Sequence, residues 1–165
     1  MDIAATMQAM TAEEKAALVS GTDFMYTNEI PRLAIPFLCM ADGPHGLRKQ
    51  AARANTGVAD SEPSTAFPTA ATTACSWNPG NTRRMGEAIG RECRHYGVHL
   101  LLGPGVNIKR NPLCGRNFEY FSEDPRLAGM MAAALAIGVQ KEPVVIKGRG
   151  TFFAHKGIVA VAGQG

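Results

Sequence analysis

Residues 99–126, His-Leu-Leu-Leu-Gly-Pro-Gly-Val-Asn-Ile-Lys-Arg-Asn-Pro-Leu-Cys-Gly-Arg-Asn-Phe-Glu-Tyr-Phe-Ser-Glu-Asp-Pro-Arg, constrain the fold more than any other stretch of the chain. An apolar run with the character of a buried strand, His99 to Leu102, feeds a long loop from Gly103 to Glu123. That loop mixes charged, aromatic, glycine and proline residues, which is costly to order unless the loop binds something on a rigid scaffold. A helix follows at once. Asp124 is a natural N-cap, Pro125 occupies the first helical position, and the alanine-rich run reaches about Val139.

The same order recurs upstream. Thr11-Ala12-Glu13-Glu14 is a capping box that opens a helix running to about Val19 and stopping at Gly21. Ile35-Pro36-Phe37-Leu38-Cys39-Met40 reads as a short buried strand ending in the polar turn Asp42-Gly43-Pro44. Residues 48–66 lack periodicity and read as a surface loop, and residues 70–76 read as a second strand from what brackets them. Asn78 caps a further helix with Pro79 at its first position, and Met85, Ile89, Cys93 and Tyr96 recur as its core stripe. Glu87 and Arg91 form an i,i+4 pair on the outer face, and Gly97 ends the helix. Strand, loop and helix in repeated order predict a parallel sheet with helices outside it, whose binding residues collect at the C-terminal ends of the strands. Asp42, the Trp77-Asn78 turn and Gly115-Arg116 are expected at that end. Three repeats are too few to close an eight-stranded barrel.

Composition removes other classes. At 165 residues the chain suits one domain, and 45% hydrophobic against 19% charged residues is an ordinary globular balance. A net charge of +3 is too small to indicate nucleic acid, since Glu87 and Glu92 interrupt the Arg83, Arg84, Arg91, Arg94 cluster. Cys39, Cys75, Cys93 and Cys114 have no C-x-x-C or zinc-type spacing and read as reduced, mostly buried thiols, so no metal and no cofactor are expected. The first ten residues lack a basic segment followed by an apolar one, which makes a cytoplasmic location the expectation. No apolar run reaches the roughly 20 residues that span a bilayer, so no membrane partner is expected.

Together with Met40-Ala41-Asp42-Gly43-Pro44-His45-Gly46-Leu47-Arg48, the 99–126 stretch resembles the sugar-binding half of a glycoside hydrolase family 3 catalytic domain, as found in β-glucosidases. The resemblance implies an α/β fold, an incomplete (β/α) barrel in which residues 10–140 lie over roughly the first half of a TIM-like domain. It implies the N-terminal portion of an enzyme that cleaves terminal β-linked sugars with retention, binding a β-glucoside or related oligosaccharide. Asp42, Arg48 and Arg116 are similar to the family residues that hold the sugar before the scissile bond. The family's nucleophilic aspartate and its general acid fall beyond residue 165, so no catalytic residue is expected within the chain.

The residue types fit that chemistry. A pyranose presents adjacent hydroxyls that each donate and accept, so it calls for a carboxylate acceptor and guanidinium donors. Each residue also has a plainer role open to it: a turn cap for Asp42, a solvated loop charge for Arg48, a buried pair with Glu119 or Asp124 for Arg116. Glu119 reads as the partner that orients Arg116, with catalysis the alternative. His45 reads as a structural hydrogen-bonding residue, with titration near neutrality the alternative. Trp77 reads as core, with sugar stacking the alternative.

The resemblance covers residues 1–142 and is lost over 143–165. There a Lys-His pair is expected, but Lys147 is followed by glycine and His155-Lys156 is reversed. A frameshift, a gene-fragment end and a rearranged terminus all fit that break. Gly148-Arg149-Gly150 lacks phosphate-loop spacing and reads as a turn. Two readings of function follow: part of a glycosidase, or a catalytically inactive truncated fragment or weak carbohydrate-binding α/β domain. An unfinished barrel also predicts self-association through its uncovered strand edge.

Overall fold

Helix formation begins at a cap. In the computed structural model, which describes residues 2–51, 60–141 and the strand backbone 159–163, the Asp2 carboxylate accepts from the Ala5 N–H and opens helix α1, Ile3–Ala9. The expected capping box then forms. The Thr11 side chain accepts from the Glu14 N–H at 3.2 Å while the Glu14 carboxylate accepts from the Thr11 N–H at 2.9 Å, opening α2, Ala12–Ser20, which Gly21 ends. Neither helix has a buried face, so α2 is held by polar contacts. The Arg32 guanidinium grips both Glu14 oxygens, at 2.7 and 2.5 Å, and the Asn28 side-chain amide donates to the Ala17 carbonyl.

Strand β1 is Met40–Asp42, later and shorter than the apolar run from Ile35 predicts. A 3-10 turn at Pro31–Leu33 and a left-handed Ala34 (φ 54°) fold the chain back, so Ile35 pairs with Ile30 and Cys39 with Tyr26 in antiparallel bridges. Pro36 has no N–H to give to a ladder. Only the end of the run reaches the sheet.

Residues 70–76 are not a strand. Thr69 caps a short helix, α3, Ala70–Ala74, and Ala70 and Ala74 bury one face at i,i+4 spacing. Alanine's helix preference and the cap override the β-branched threonines. Trp77 follows in a left-handed turn (φ 50°) and is 71% exposed, so it is not a core residue.

Helix α4, Pro79–His95, starts as expected, with the Asn78 side chain accepting from the Asn81 N–H. Met85, Ile89 and Cys93 are buried and Tyr96 packs against the core, as the stripe predicts. Glu87 is engaged by Arg83 at 3.3 Å and Lys141 at 3.0 Å. Gly97 (φ 68°) turns the chain into β2, Leu100–Gly105. Helix α5, Pro125–Gln140, is capped by Asp124, whose carboxylate accepts from the Arg126 and Leu127 N–H groups.

Helices α4 and α5 make the main helix–helix contact. A Cβ on Gly86 would collide with the Leu135 carbonyl and one on Gly138 with the Arg83 carbonyl, so the two backbones touch. Around that crossing Ile89, Met131, Leu135 and Val139 are 0–1% exposed. Each such side chain contributes about 1.5–3 kcal/mol of burial. The Cys93 thiol lies in the same core, and burial, with the charge of Glu92 adding to it, pushes it up to about 12. Cys39 and Cys93 are buried, whereas Cys75 and Cys114 are exposed, which corrects the expectation of mostly buried thiols.

The sheet order is β1-β2-β3, with β3 at Val159–Gly163 and both pairings parallel. Met40 pairs with Leu100 and Asp42 with Leu102, and on the other side Leu100 pairs with Val159. The result is an open α/β sheet, an incomplete (β/α) barrel. Lys147, the Gly148-Arg149-Gly150 turn and His155-Lys156 lie outside the described residues.

Candidate functional site

A cleft of about 790 Å³ opens at the C-terminal ends of β1 and β2. In a parallel α/β sheet this is the end where loops from separate strands meet. Asp42, Arg48 and Arg116, read from the sequence as one site, all line it. His45 and Glu119 line it too, while Trp77 does not.

Asp42 is the last residue of β1, and the turn after it returns immediately. The Arg48 N–H donates to the Asp42 carbonyl at 2.8 Å, closing an antiparallel bridge around Gly43-Pro44-His45-Gly46. Gly46 (φ 133°) is required there, since a Cβ would collide with the Thr65 carbonyl. The end of β2 packs against the same turn, and a Cβ on Gly103 would lie 3.1 Å from the Pro44 Cα.

Arg116 arrives by the long loop. Asn117 fixes the approach by donating its side-chain amide to the Asn111 carbonyl at 2.8 Å, and a 3-10 turn at Asn117–Glu119 leads to Tyr120, which bridges Gly105. The Arg116 Nε donates to Glu119 Oε1, and its guanidinium lies 5.9 Å from the Tyr120 ring centre. The Glu119 hydrogen bond and charge raise the Arg116 pKa above its ordinary value. The partner is therefore Glu119, while Asp124 caps α5; the pair is not buried, since the Arg116 side chain is 56% exposed.

Burial holds the His45 imidazole pKa below its ordinary value, with the Glu119 charge working in the opposite direction. Its Nε2 is buried without a hydrogen-bond partner, and its ring lies 5.9 Å from that of Phe118, which is half exposed in the cleft. The hydrogen bond at this residue is made by the backbone instead: the His45 carbonyl accepts from the Phe67 N–H at 2.8 Å.

Sequence reading missed one wall of the cleft, Ser64-Thr65-Ala66, which had no period to mark it. Among the described residues no group of three or more His, Cys, Asp or Glu side chains is placed to hold a metal ion, and no helix is long and apolar enough to cross a membrane. The cleft thus brings together Asp42 and Arg48 from one turn and the Arg116–Glu119 pair from the long loop, carboxylate and guanidinium groups of the kind suited to a polyhydroxylated ring.

Residues 3–163 match the glycosyl hydrolase family 3 N-terminal domain. The chain belongs to glycoside hydrolase family 3. It is 54% identical over 147 residues to thermostable β-glucosidase B of Acetivibrio thermocellus, covering 87% of this chain and 19% of that protein. It is 49% identical over 148 residues to an exo-α-(1→6)-L-arabinopyranosidase of Bifidobacterium longum, covering 88% of this chain and 19% of that one. Among solved structures, β-glucosidase 3B of Thermotoga neapolitana, in complex with α-D-glucose, superposes with a TM-score of 0.74 at 39% identity, over 85% of this chain and 21% of that one. A β-glucosidase of Kluyveromyces marxianus in complex with glucose gives 0.77 at 35% identity, over 85% and 16%. This family 3 chain spans about a fifth of the length of the relatives it matches.

Proposed function

We propose that this family 3 chain supplies part of the sugar-binding subsite of a β-glucosidase-type hydrolase and carries no catalytic carboxylate. The observation that supports this is the meeting of Asp42, Arg48 and Arg116, from three points of the sequence, in one cleft at the C-terminal end of a parallel sheet. Asp42 accepts from neighbouring ring hydroxyls and the two arginines donate to hydroxyl oxygens. Glu119 orients Arg116. The complete enzyme cleaves terminal β-linked sugars with retention, using two carboxyl groups about 5 Å apart. On its own the chain binds sugar weakly, since each hydrogen bond made in an open cleft nets only about 1 kcal/mol against water. The second functional reading, a catalytically inactive sugar-binding α/β domain, describes the same chain when it acts alone. Self-association through the uncovered sheet edge accompanies either reading.

Titration with glucose or gluconolactone, followed by NMR, tests the site. Perturbations at Asp42, Arg48 and Arg116 that vanish in Asp42→Ala support it. Perturbations centred on Lys147, His155 and Lys156 would move the site to the C-terminal segment.

A further inference from the structure

The cleft wall Ser64-Thr65-Ala66 belongs to no helix or strand, yet it is tied on two sides. From outside the cleft, helix α4 holds it: Glu92 Oε1 accepts from the Thr65 N–H at 3.1 Å and from the Thr65 hydroxyl at 2.6 Å. One helical turn on, the Tyr96 hydroxyl donates to the Pro63 carbonyl at 2.6 Å. From inside, the wall is joined to the Asp42–Arg48 turn. The Ser64 hydroxyl donates to the Leu47 carbonyl at 2.5 Å, and the Thr65 carbonyl fills the space a Cβ on Gly46 would need.

Glu92 is an unusual choice for a merely structural tie. Its second oxygen, Oε2, is buried without a hydrogen-bond partner, while the first makes both bonds. The other oxygen forgoes the hydrogen bonds that water would give it. What the arrangement achieves is a fixed distance between α4, whose inner face is locked into the core, and the loop that shapes the cleft.

We propose that Glu92, seconded by Tyr96, is a positioning residue for the sugar cleft. It touches no sugar, and it holds the Ser64-Thr65-Ala66 wall against the turn that carries Asp42 and Arg48. This rests on the sugar-binding reading given above.

The test combines amide hydrogen exchange with glucose titration on the full chain and on Glu92→Ala, Glu92→Gln and Tyr96→Phe. Glu92→Ala is expected to speed exchange at the Thr65 and Phe67 amides by about tenfold, to leave Ile89 and Leu101 at their original rates, and to weaken glucose binding. Glu92→Gln keeps an acceptor at Oε1 and restores most of both properties. Tyr96→Phe shifts the same amides in the same direction by less, and keeps the proposal testable should Glu92→Ala fail to fold. Unchanged Thr65 exchange in Glu92→Ala overturns the proposal. So does faster exchange at Ile89 and Leu101 that Glu92→Gln does not rescue, because that pattern marks a loss of the whole fold. Absence of glucose binding by the unaltered chain would defeat the sugar reading, and the exchange measurement would still decide whether Glu92 positions the wall.

Discussion

The Arg48 N–H donates to the Asp42 carbonyl at 2.8 Å, so two residues proposed to bind sugar are joined by main chain at one turn, and both line the cleft. Binding and folding are therefore separable at this turn. Asp42→Ala is expected to abolish glucose perturbations while leaving the unfolding free energy within about 0.5 kcal/mol of the original. Gly46→Ala does the reverse: with φ at 133° and the Thr65 carbonyl in the way, it is expected to cost about 1–3 kcal/mol. Chemical denaturation of both variants, alongside titration, checks the separation.

The Arg116–Glu119 pair predicts an affinity effect. The guanidinium is more than half exposed, so solvent screens the pair and its contribution is small. Glu119→Gln is expected to weaken glucose binding by no more than about fivefold, and Arg116→Ala by more, since it removes a proposed donor to the sugar. Equal losses in the two variants, measured by NMR titration, would contradict the division of roles.

Gly86→Ala and Gly138→Ala probe the α4–α5 crossing. Each methyl meets a carbonyl of the other helix, and overpacking of this kind costs about 1–3 kcal/mol. A lowered denaturation midpoint at constant slope is the expected result. Helix propensity alone would favour alanine, so a raised midpoint would show that the helices can separate without loss.

These elements were unequally legible in the sequence. Helices α4 and α5 were readable because Asn78-Pro79 and Asp124-Pro125 mark their starts and apolar residues then recur at helical spacing. Ala70–Ala74 was misread as strand because its signal, a threonine cap before alanines, covers a single turn. Helix α1 went unread because seven residues with no buried face carry no period. The strand at Ile35 was placed early because an apolar run does not reveal the turn that reverses it at Ala34. In the cleft, Asp42, Arg48 and Arg116 were legible as motif residues. The Ser64-Thr65-Ala66 wall was not, since what fixes it is Glu92, 27 residues away from Thr65.

Histidine protonation should set an acid limit to stability. His99 is half buried, and its desolvation lowers its pKa from the ordinary 6.5; its Nδ1 also accepts from the Cys39 N–H at 2.9 Å, a bond the imidazolium cannot make. His45 is lowered by burial in the same direction. The unfolded chain then binds more protons than the folded one between the lowered values and 6.5, so stability rises with pH across that window. It is complete above 6.5 and is lost as the pH falls below it. Urea midpoints measured from pH 7.5 to 5 should fall for the original chain, and His99→Asn, which offers a non-titrating acceptor, should flatten the profile. A profile unchanged by that substitution would remove His99 as a cause.

Hydrolysis of aryl β-glucosides by the 165-residue chain is expected to be absent. A retaining mechanism requires one carboxylate to attack the anomeric carbon and a second carboxyl group, about 5 Å from it, to protonate the leaving oxygen. Of the two cleft carboxylates, Glu119 accepts from Arg116 Nε, and Asp42, at the end of β1, is the proposed acceptor of sugar hydroxyls. Assays with an aryl β-glucoside, at protein concentrations high enough to detect single turnovers, should give no product above the uncatalysed rate. Turnover that survives repurification and disappears in both Asp42→Asn and Glu119→Gln would instead assign those two residues as the nucleophile and acid.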